Sequence, residues 1–498
     1  MTFKLKSLPL ALLMASLTGC ASVPADWGRS EVAQMTADHG RALPSFADTG
    51  AFTANALREP LTVDTAIQLA LINNPAVRRE TARLGFAAAE VYEAGRLANP
   101  VFSLTRLSGD SSAGTNVPQL TLGIAFNFVN LLFLPANTRF ADAQFEAAKL
   151  SLGATALDLA ADVEVAWYEA TGADQLAQMR EAAARAGRAS ADLAQRYFDA
   201  GNISARELAM ERAAASTATL AAISTRATAV IARSRLNRVM GLKADLNTWT
   251  LDARLSEPLP QEDDAAELQR LSLDARLDVA SLRRRAHAIA ERYGFTRRTR
   301  VISGIEIGAE RERDFDGAID AGPTLSLELP LFNWGSGRVA SIQAALDQAE
   351  AELDERVLDV SNEVQLGSAK VSAARSLADE YRRALIPQRE AIVARAQEQQ
   401  NYMLIGIFEV IVAKRQEYEA YAGYIEAVRD YWIARAELTR AVGRRLPSSA
   451  QEQKPSIDPV QVLQPKGEVM DHSQHSMHDS PVTPNESAPA SEPHGDHR

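Results

Sequence analysis

Hydrophobic and polar positions change rhythm several times along this chain, and each change predicts an element. From Thr62 the apolar residues Val63, Ala66, Ile67, Ala70 and Leu71 recur at helical spacing, with Thr62 placed to cap the first turn. Asn99-Pro100 breaks that rhythm. In Gln119-Leu120-Thr121-Leu122-Gly123-Ile124-Ala125-Phe126-Asn127-Phe128 every even position is large and apolar and every odd one polar or small, which predicts a strand with one greasy face; residues 101–107 are a weaker match. A helix is predicted from about Ala136 to Phe198, with Leu159, Val163, Ala166 and Ala170 on one face. Asp199-Ala200-Gly201-Asn202 interrupts it, and a return helix runs to Met240-Gly241.

The same order then recurs. A helix is predicted over 264–292, strands over 299–312 and 322–332, a long helix over 337–400, a break near Gly406 and a final helix ending at Val442-Gly443. Arg139 with Gln144 and Arg338 with Gln343 keep one spacing after each strand pair, and Tyr197 before Gly201 reads as the counterpart of Tyr402 before Gly406. A period near 200 residues is too long for a solenoid and implies two fused copies of one unit. The expected division is a signal segment 1–19, an extended linker 20–60 carrying Pro24, Pro44 and Pro60, repeats at 61–245 and 246–445, and a disordered tail 446–498.

Period two fits a half-buried soluble sheet or a membrane barrel with a wet interior. Runs of this length span a bilayer when tilted. Four strands cannot close a barrel and open edges are not tolerated in lipid, so membrane strands would have to be pooled, twelve from three chains. The polar connections 109–117 and 313–321 suit external loops. A 60-residue helix reaches about 90 Å, more than a compact domain uses, and antiparallel neighbours would pack as coiled coils. A non-conducting helical scaffold is the rival reading from another class.

Composition narrows the function. The 498 residues are 46% hydrophobic and 23% charged, with formal net charge −11. That acidity argues against a nucleic-acid surface, and a single cysteine excludes a disulfide framework. There is no P-loop, His-Glu-x-x-His or nucleophile elbow, so an enzyme is not expected. Lys4 and Lys6 followed by an apolar stretch over 8–17 read as an export signal. Leu17-Thr18-Gly19-Cys20 resembles the lipobox of bacterial lipoproteins, which implies a covalent lipid (diacylglycerol and palmitate) on Cys20; Ala21 then favours sorting to the outer membrane.

Several further motifs fall in one order: Leu61-Thr62-Val63-Asp64-Thr65-Ala66 before Asn74-Pro75, Pro330-Leu331-Phe332-Asn333-Trp334-Gly335 closing a strand, and Tyr402, Gly406 and Glu409-Val410 at the second helical break. Over residues 60–445 the chain resembles TolC-like outer-membrane efflux factors of the lipoprotein type, including heavy-metal and copper efflux members. The resemblance implies an α+β membrane protein, a homotrimer whose twelve-stranded β-barrel continues into an α-helical periplasmic tunnel. It also implies a periplasmic adaptor and an inner-membrane RND-type pump as partners, with cargo passing through a passive conduit. Glu409, Tyr402 and Glu207 fall where that family places its periplasmic aperture and gate, whereas Val412 and Ile405 depart from its acidic and basic positions.

Five of the seven histidines, His472, His475, His478, His494 and His497, lie in the tail with Met470 and Met477. Imidazole suits copper, zinc and nickel, and thioether selects Cu(I) or Ag(I), so the tail is a candidate for weak copper binding and the cargo reading is transition-metal efflux, copper first. Organic solute efflux through the same fold is the alternative. His39 and His287 read as ordinary polar positions.

Overall fold

The structure, a computed structural model of the chain, describes residues 26–41, 49–108, 118–243, 249–251, 254–302, 304–451 and 454–456. Helices α1 (Arg29–Asp38), α2 (Thr49–Ala56), α3 (Val63–Asn73) and α4 (Pro75–Ala94) lead to strands β1 (Val101–Leu107) and β2 (Gln119–Asn127), then to α5 (Phe128–Asp199) and α6 (Ala205–Val239). The order repeats with α7 (Ala265–Ala275), α8 (Leu277–Thr299), β3 (Ile305–Arg313), β4 (Ile319–Leu327), α9 (Ser336–Glu380), a π-type turn over Tyr381–Leu385, α10 (Ile386–Asn401) and α11 (Ile407–Val442).

Four expectations need correction. The segment read as an extended linker contains α1 and α2, because Val32, Thr36 and Leu57 bury themselves in the main core. Helix α5 begins eight residues before Ala136: the Asn127 side chain accepts a hydrogen bond from the Asn130 amide, and Pro135 sits inside the helix. The helix expected over 264–292 is two helices meeting at Arg276, whose extended backbone ends one and starts the next. Because α8 runs on to Thr299, β3 starts at Ile305, and β4 ends at Leu327 rather than 332.

The four strands form one antiparallel sheet in the order β1-β2-β3-β4. Residues directly opposite each other in a ladder share a face, so the register sorts the side chains. Phe102, Leu104 and Arg106 lie level with Ile124, Leu122 and Leu120. Those in turn lie level with Ala309, Arg311 and Arg313, with Phe126 opposite Ile307. Leu325 and Leu327 oppose Ile307 and Ile305 and complete this apolar face. The other face carries Ser103, Thr105, Thr121, Asn127, Glu306, Glu310, Glu312, Asp320, Thr324 and Ser326. Val101 and Leu107, at the ends of β1, are its exceptions. Strands β1 and β4 are open edges, and Pro323 sits on β4 where a missing amide is tolerated.

Each strand pair feeds a helical hairpin. Helix α5 has 72 residues and is about 110 Å long. Alanines dominate its buried stripe, and the chains approach so closely that a Cβ on Gly187 would lie 3.3 Å from the Ala215 backbone of α6. Two larger cores lie where the hairpins meet the shorter helices. One gathers Leu61, Ile67, Leu69, Trp167, Leu236 and Trp249; the other gathers Tyr424, Tyr431, Trp432, Leu255 and Leu259. Their indoles are tied down, Trp167 to the Leu61 carbonyl at 3.1 Å and Trp249 to Asn237 at 2.7 Å. Arg276, almost fully buried, donates to the carbonyls of Arg440 and Ala441 at the end of α11 and pairs with Asp278 at 2.6 Å. The π-type turn precedes Pro387, which lacks the amide a regular helix would use; the Ile386 amide instead reaches back five residues to the Tyr381 carbonyl.

Candidate functional site

The tip of the two long hairpins is built from two similar breaks. Helix α5 ends at Ala200, Gly201 takes a left-handed conformation (φ 75°), and the Asn202 amide bonds the Tyr197 carbonyl. Helix α10 ends at Tyr402, Met403 takes the left-handed conformation (φ 58°), and the Leu404 amide bonds the Gln399 carbonyl. Ser204 and Gly406 then cap α6 and α11. The backbones therefore match at an offset of 202 residues, which corrects the expected pairing. Gly201 corresponds to Met403 rather than Gly406, and Tyr197 to Gln399 rather than Tyr402. At the same offset Glu207 corresponds to Glu409.

Those two carboxylates come together. Ile203, Glu207, Met210, Glu211, Phe408, Glu409, Val412, Ala413 and Gln416 line one groove of about 420 Å³ between the first turns of α6 and α11. Glu207 is held: it accepts from the Ser204 amide at 2.7 Å and the Ser204 hydroxyl at 2.9 Å, while Ser204 accepts from the Glu207 amide. These bonds keep its carboxyl below the ordinary value. Glu409 is exposed in the third position of α11, where its cap residue is glycine and offers no side chain. Tyr402 is exposed outside the groove. Val412 lines the groove, and Ile405 packs with Ile407 on the small tip cluster of Val393, Ala396, Val410 and Ala413.

Glu211 is the residue that sequence reasoning missed. It is buried, accepts from the Ser190 hydroxyl of α5 at 2.8 Å, and pairs with Arg415 of α11 at 3.1 Å. One carboxylate thus joins three helices from both halves of the chain. Its signal was present: Glu211 lies three residues after Leu208 and four before Ala215, on the buried stripe. On the tip side of it Tyr197 meets Phe408 edge to face at 5.8 Å; on the far side burial, together with donation to Glu390 at 2.7 Å, pushes the Tyr421 hydroxyl's pKa up.

At the other end of α5, Arg139 and Arg338, noted for their equal spacing, line one cavity with Phe133, Arg292, Arg298 and Arg300. His39 is packed between the Met35 and Ala275 carbonyls, and His287 faces Glu291 at 3.4 Å. Among the described residues no cluster of histidine, cysteine, aspartate or glutamate has metal-holding geometry, and no helix is long and apolar enough to cross a membrane. Cys20 and the tail residues Met470, His472, His475, Met477, His478, His494 and His497 lie outside the described residues.

Comparison with solved structures finds this fold repeatedly. The outer membrane protein VceC of Vibrio cholerae is 17% identical with TM-score 0.61, over 77% of this chain and 96% of that one. The CmeC outer membrane channel of Campylobacter jejuni is 14% identical with TM-score 0.66, over 82% and 91%. CusC, described for its transmembrane channel formation, is 17% identical with TM-score 0.58, over 77% and 92%. Comparison with curated proteins finds no match. What this chain shares with those solved structures is a fold, in which a two-faced sheet runs directly into paired long helices. Residues 66–242 match the family model described as outer membrane efflux protein.

Proposed function

We propose that this chain is the outer-membrane subunit of a tripartite efflux system, a passive conduit with a carboxylate-lined gate at its helical tip. The observation that carries the reading is the sheet: one face apolar and exposed, the other polar, both edges open, and each hairpin continuing into a helix of tunnel length. Three copies joining β4 to the next β1 would close twelve strands around water, with Glu306, Glu310, Glu312 and Asp320 facing inward and no cation on that face of the described strands. The tip would dock on a periplasmic adaptor and, through it, an RND-type pump that supplies energy and direction. Glu207 and Glu409, with Tyr402 outside their groove, would border the aperture. A covalent lipid on Cys20 would add an anchor.

The cargo we propose is transition-metal ions, copper first. Support comes from the acidic inner face and from the histidines and methionines of the tail. Two measurements test these readings separately. Purified full-length protein in planar bilayers should give large, stable, cation-favouring currents, and absence of current would refute the conduit. Deleting 466–498 should lower copper tolerance in the host; unchanged tolerance would remove the tail from the mechanism.

A further inference from the structure

The register places three arginines where a membrane strand should carry none. Arg106 lies level with Leu120, and Leu120 with Arg313; Arg311 lies level with Leu122, two residues along β3. All three therefore stand on the apolar face, among Leu104, Leu120, Leu122 and Ile124. Arg106 and Arg313 are two strand spacings apart, about 10 Å, and Arg311 and Arg313 roughly 7 Å apart along the strand. All lie at the end of the sheet that leads into the connecting loops, away from the helices. The opposite end of the apolar region is marked by Phe332 and Trp334, 98% and 59% exposed, the kind of aromatic belt found at a membrane–water boundary.

The chain does not neutralise this cluster. The carboxylates of the same strands, Glu306, Glu310, Glu312 and Asp320, are on the other face. Asp314, in the β3–β4 turn, accepts from Gln119 at 3.2 Å. Among the described residues none of the three arginines forms an ion pair, and Arg313 finds only the Pro118 carbonyl at 3.4 Å while its Nε is buried without a partner. Guanidinium groups recognise phosphate with two parallel hydrogen bonds. We propose that Arg106, Arg311 and Arg313 form a docking site for a phosphate-bearing lipid of the leaflet on the loop side. The inference rests on the barrel reading above. The lipid is favoured over a soluble anion because the arginines border exposed leucines and isoleucines that acyl chains would cover, joining charge complementarity to an apolar wall.

The test titrates full-length protein in detergent with diphosphoryl lipid A, with the same lipid lacking phosphates, and with inorganic phosphate, reading bound mass by native mass spectrometry. Wild type should retain the diphosphorylated lipid. R106Q/R311Q/R313Q should weaken retention at least tenfold, and the matching triple lysine variant should recover part of it. Equal retention of the dephosphorylated lipid, a triple glutamine variant that binds as wild type does, or inorganic phosphate that binds equally well would overturn the site. Circular dichroism and particle size confirm folding, with R311Q alone, expected to show partial loss, replacing the triple variant should that one misfold. Planar-bilayer currents keep the two readings apart: a conducting wild type without phosphate-dependent retention sinks only the lipid site, whereas a wild type that neither conducts nor retains lipid sinks the channel as well.

Discussion

Glu211 offers the sharpest test of how the tip is held. Glu211→Gln keeps the shape and can still meet Ser190, but it removes the charge opposite Arg415. Breaking a fully buried pair costs about 3–5 kcal/mol. Here the Arg415 side chain is 33% exposed against 10% for Glu211, so solvent screens the loss and about 1–2 kcal/mol is the appropriate scale. A bias of that size moves an open-to-closed ratio by roughly 5–30-fold per protomer. Single-channel recording in planar bilayers should show E211Q open more often than wild type, with thermal melting confirming that the fold survives. R415Q should do the same, and the double variant should resemble either single one, because both changes remove one bond. Currents from E211Q indistinguishable from wild type, or effects of the two substitutions that simply add, would refute the latch.

Other consequences are measurable in the same protein. Ser204→Ala removes the cap of α6 and should cost about 1 kcal/mol locally, read as faster amide exchange over residues 205–208. Glu207 is depressed below its reference value of 4.5, so its help to that turn is present above that pH and is lost as pH falls through the lower folded value; amide protection at α6, corrected for the intrinsic pH dependence of exchange, that stays constant on acidification below pH 4.5 would contradict this. On the sheet, Leu325→Arg should cost about 2–4 kcal/mol on insertion if it faces mid-bilayer lipid, while Thr324→Arg on the other face should be tolerated, as heat-resistant oligomer on gels would report. Arg276→Met should destabilise by about 3 kcal/mol, seen as a lowered melting temperature, because it orphans two carbonyls and part of the charge of Asp278.

Most of the fold was readable because its punctuation is local. Thr62, Gly201 and Gly443 act within a turn of themselves, and alternation in β2 needs no partner to be seen. Boundaries went astray where tertiary packing overrode local signals: the helix expected from Ala136 starts at Phe128 with Pro135 inside it, and Val32 and Leu57 drew an apparent linker into helices. The pairing of the two breaks was misread because glycine was matched to glycine, when the left-handed position in the second break is filled by Met403. At the tip, Glu207 and Glu409 were singled out from the family resemblance, and the structure places both along one groove. Glu211 was passed over because a carboxylate on a helix is ordinarily solvated, and only its burial among three helices reveals its partners. The sorting of arginines and carboxylates onto opposite faces depends on register, which no single strand discloses.

The π-type turn carries a consequence for how the long helix tolerates change. Along α9 the core-facing positions Val360, Val364, Gly367, Val371, Ala374 and Ala378 advance by alternating steps of three and four, and beyond the turn Ile386, Val393 and Ala396 resume the same beat. Between Ala378 and Ile386 the step is eight instead of seven, and both Leu385 and Ile386 reach the core. The widened turn thus absorbs one surplus residue that would otherwise swing everything downstream by about 100° around the axis. Removing a single residue there, such as Ala384, should leave the lower half in phase with its neighbours, whereas the same deletion at mid-α9 would turn every inward side chain aside.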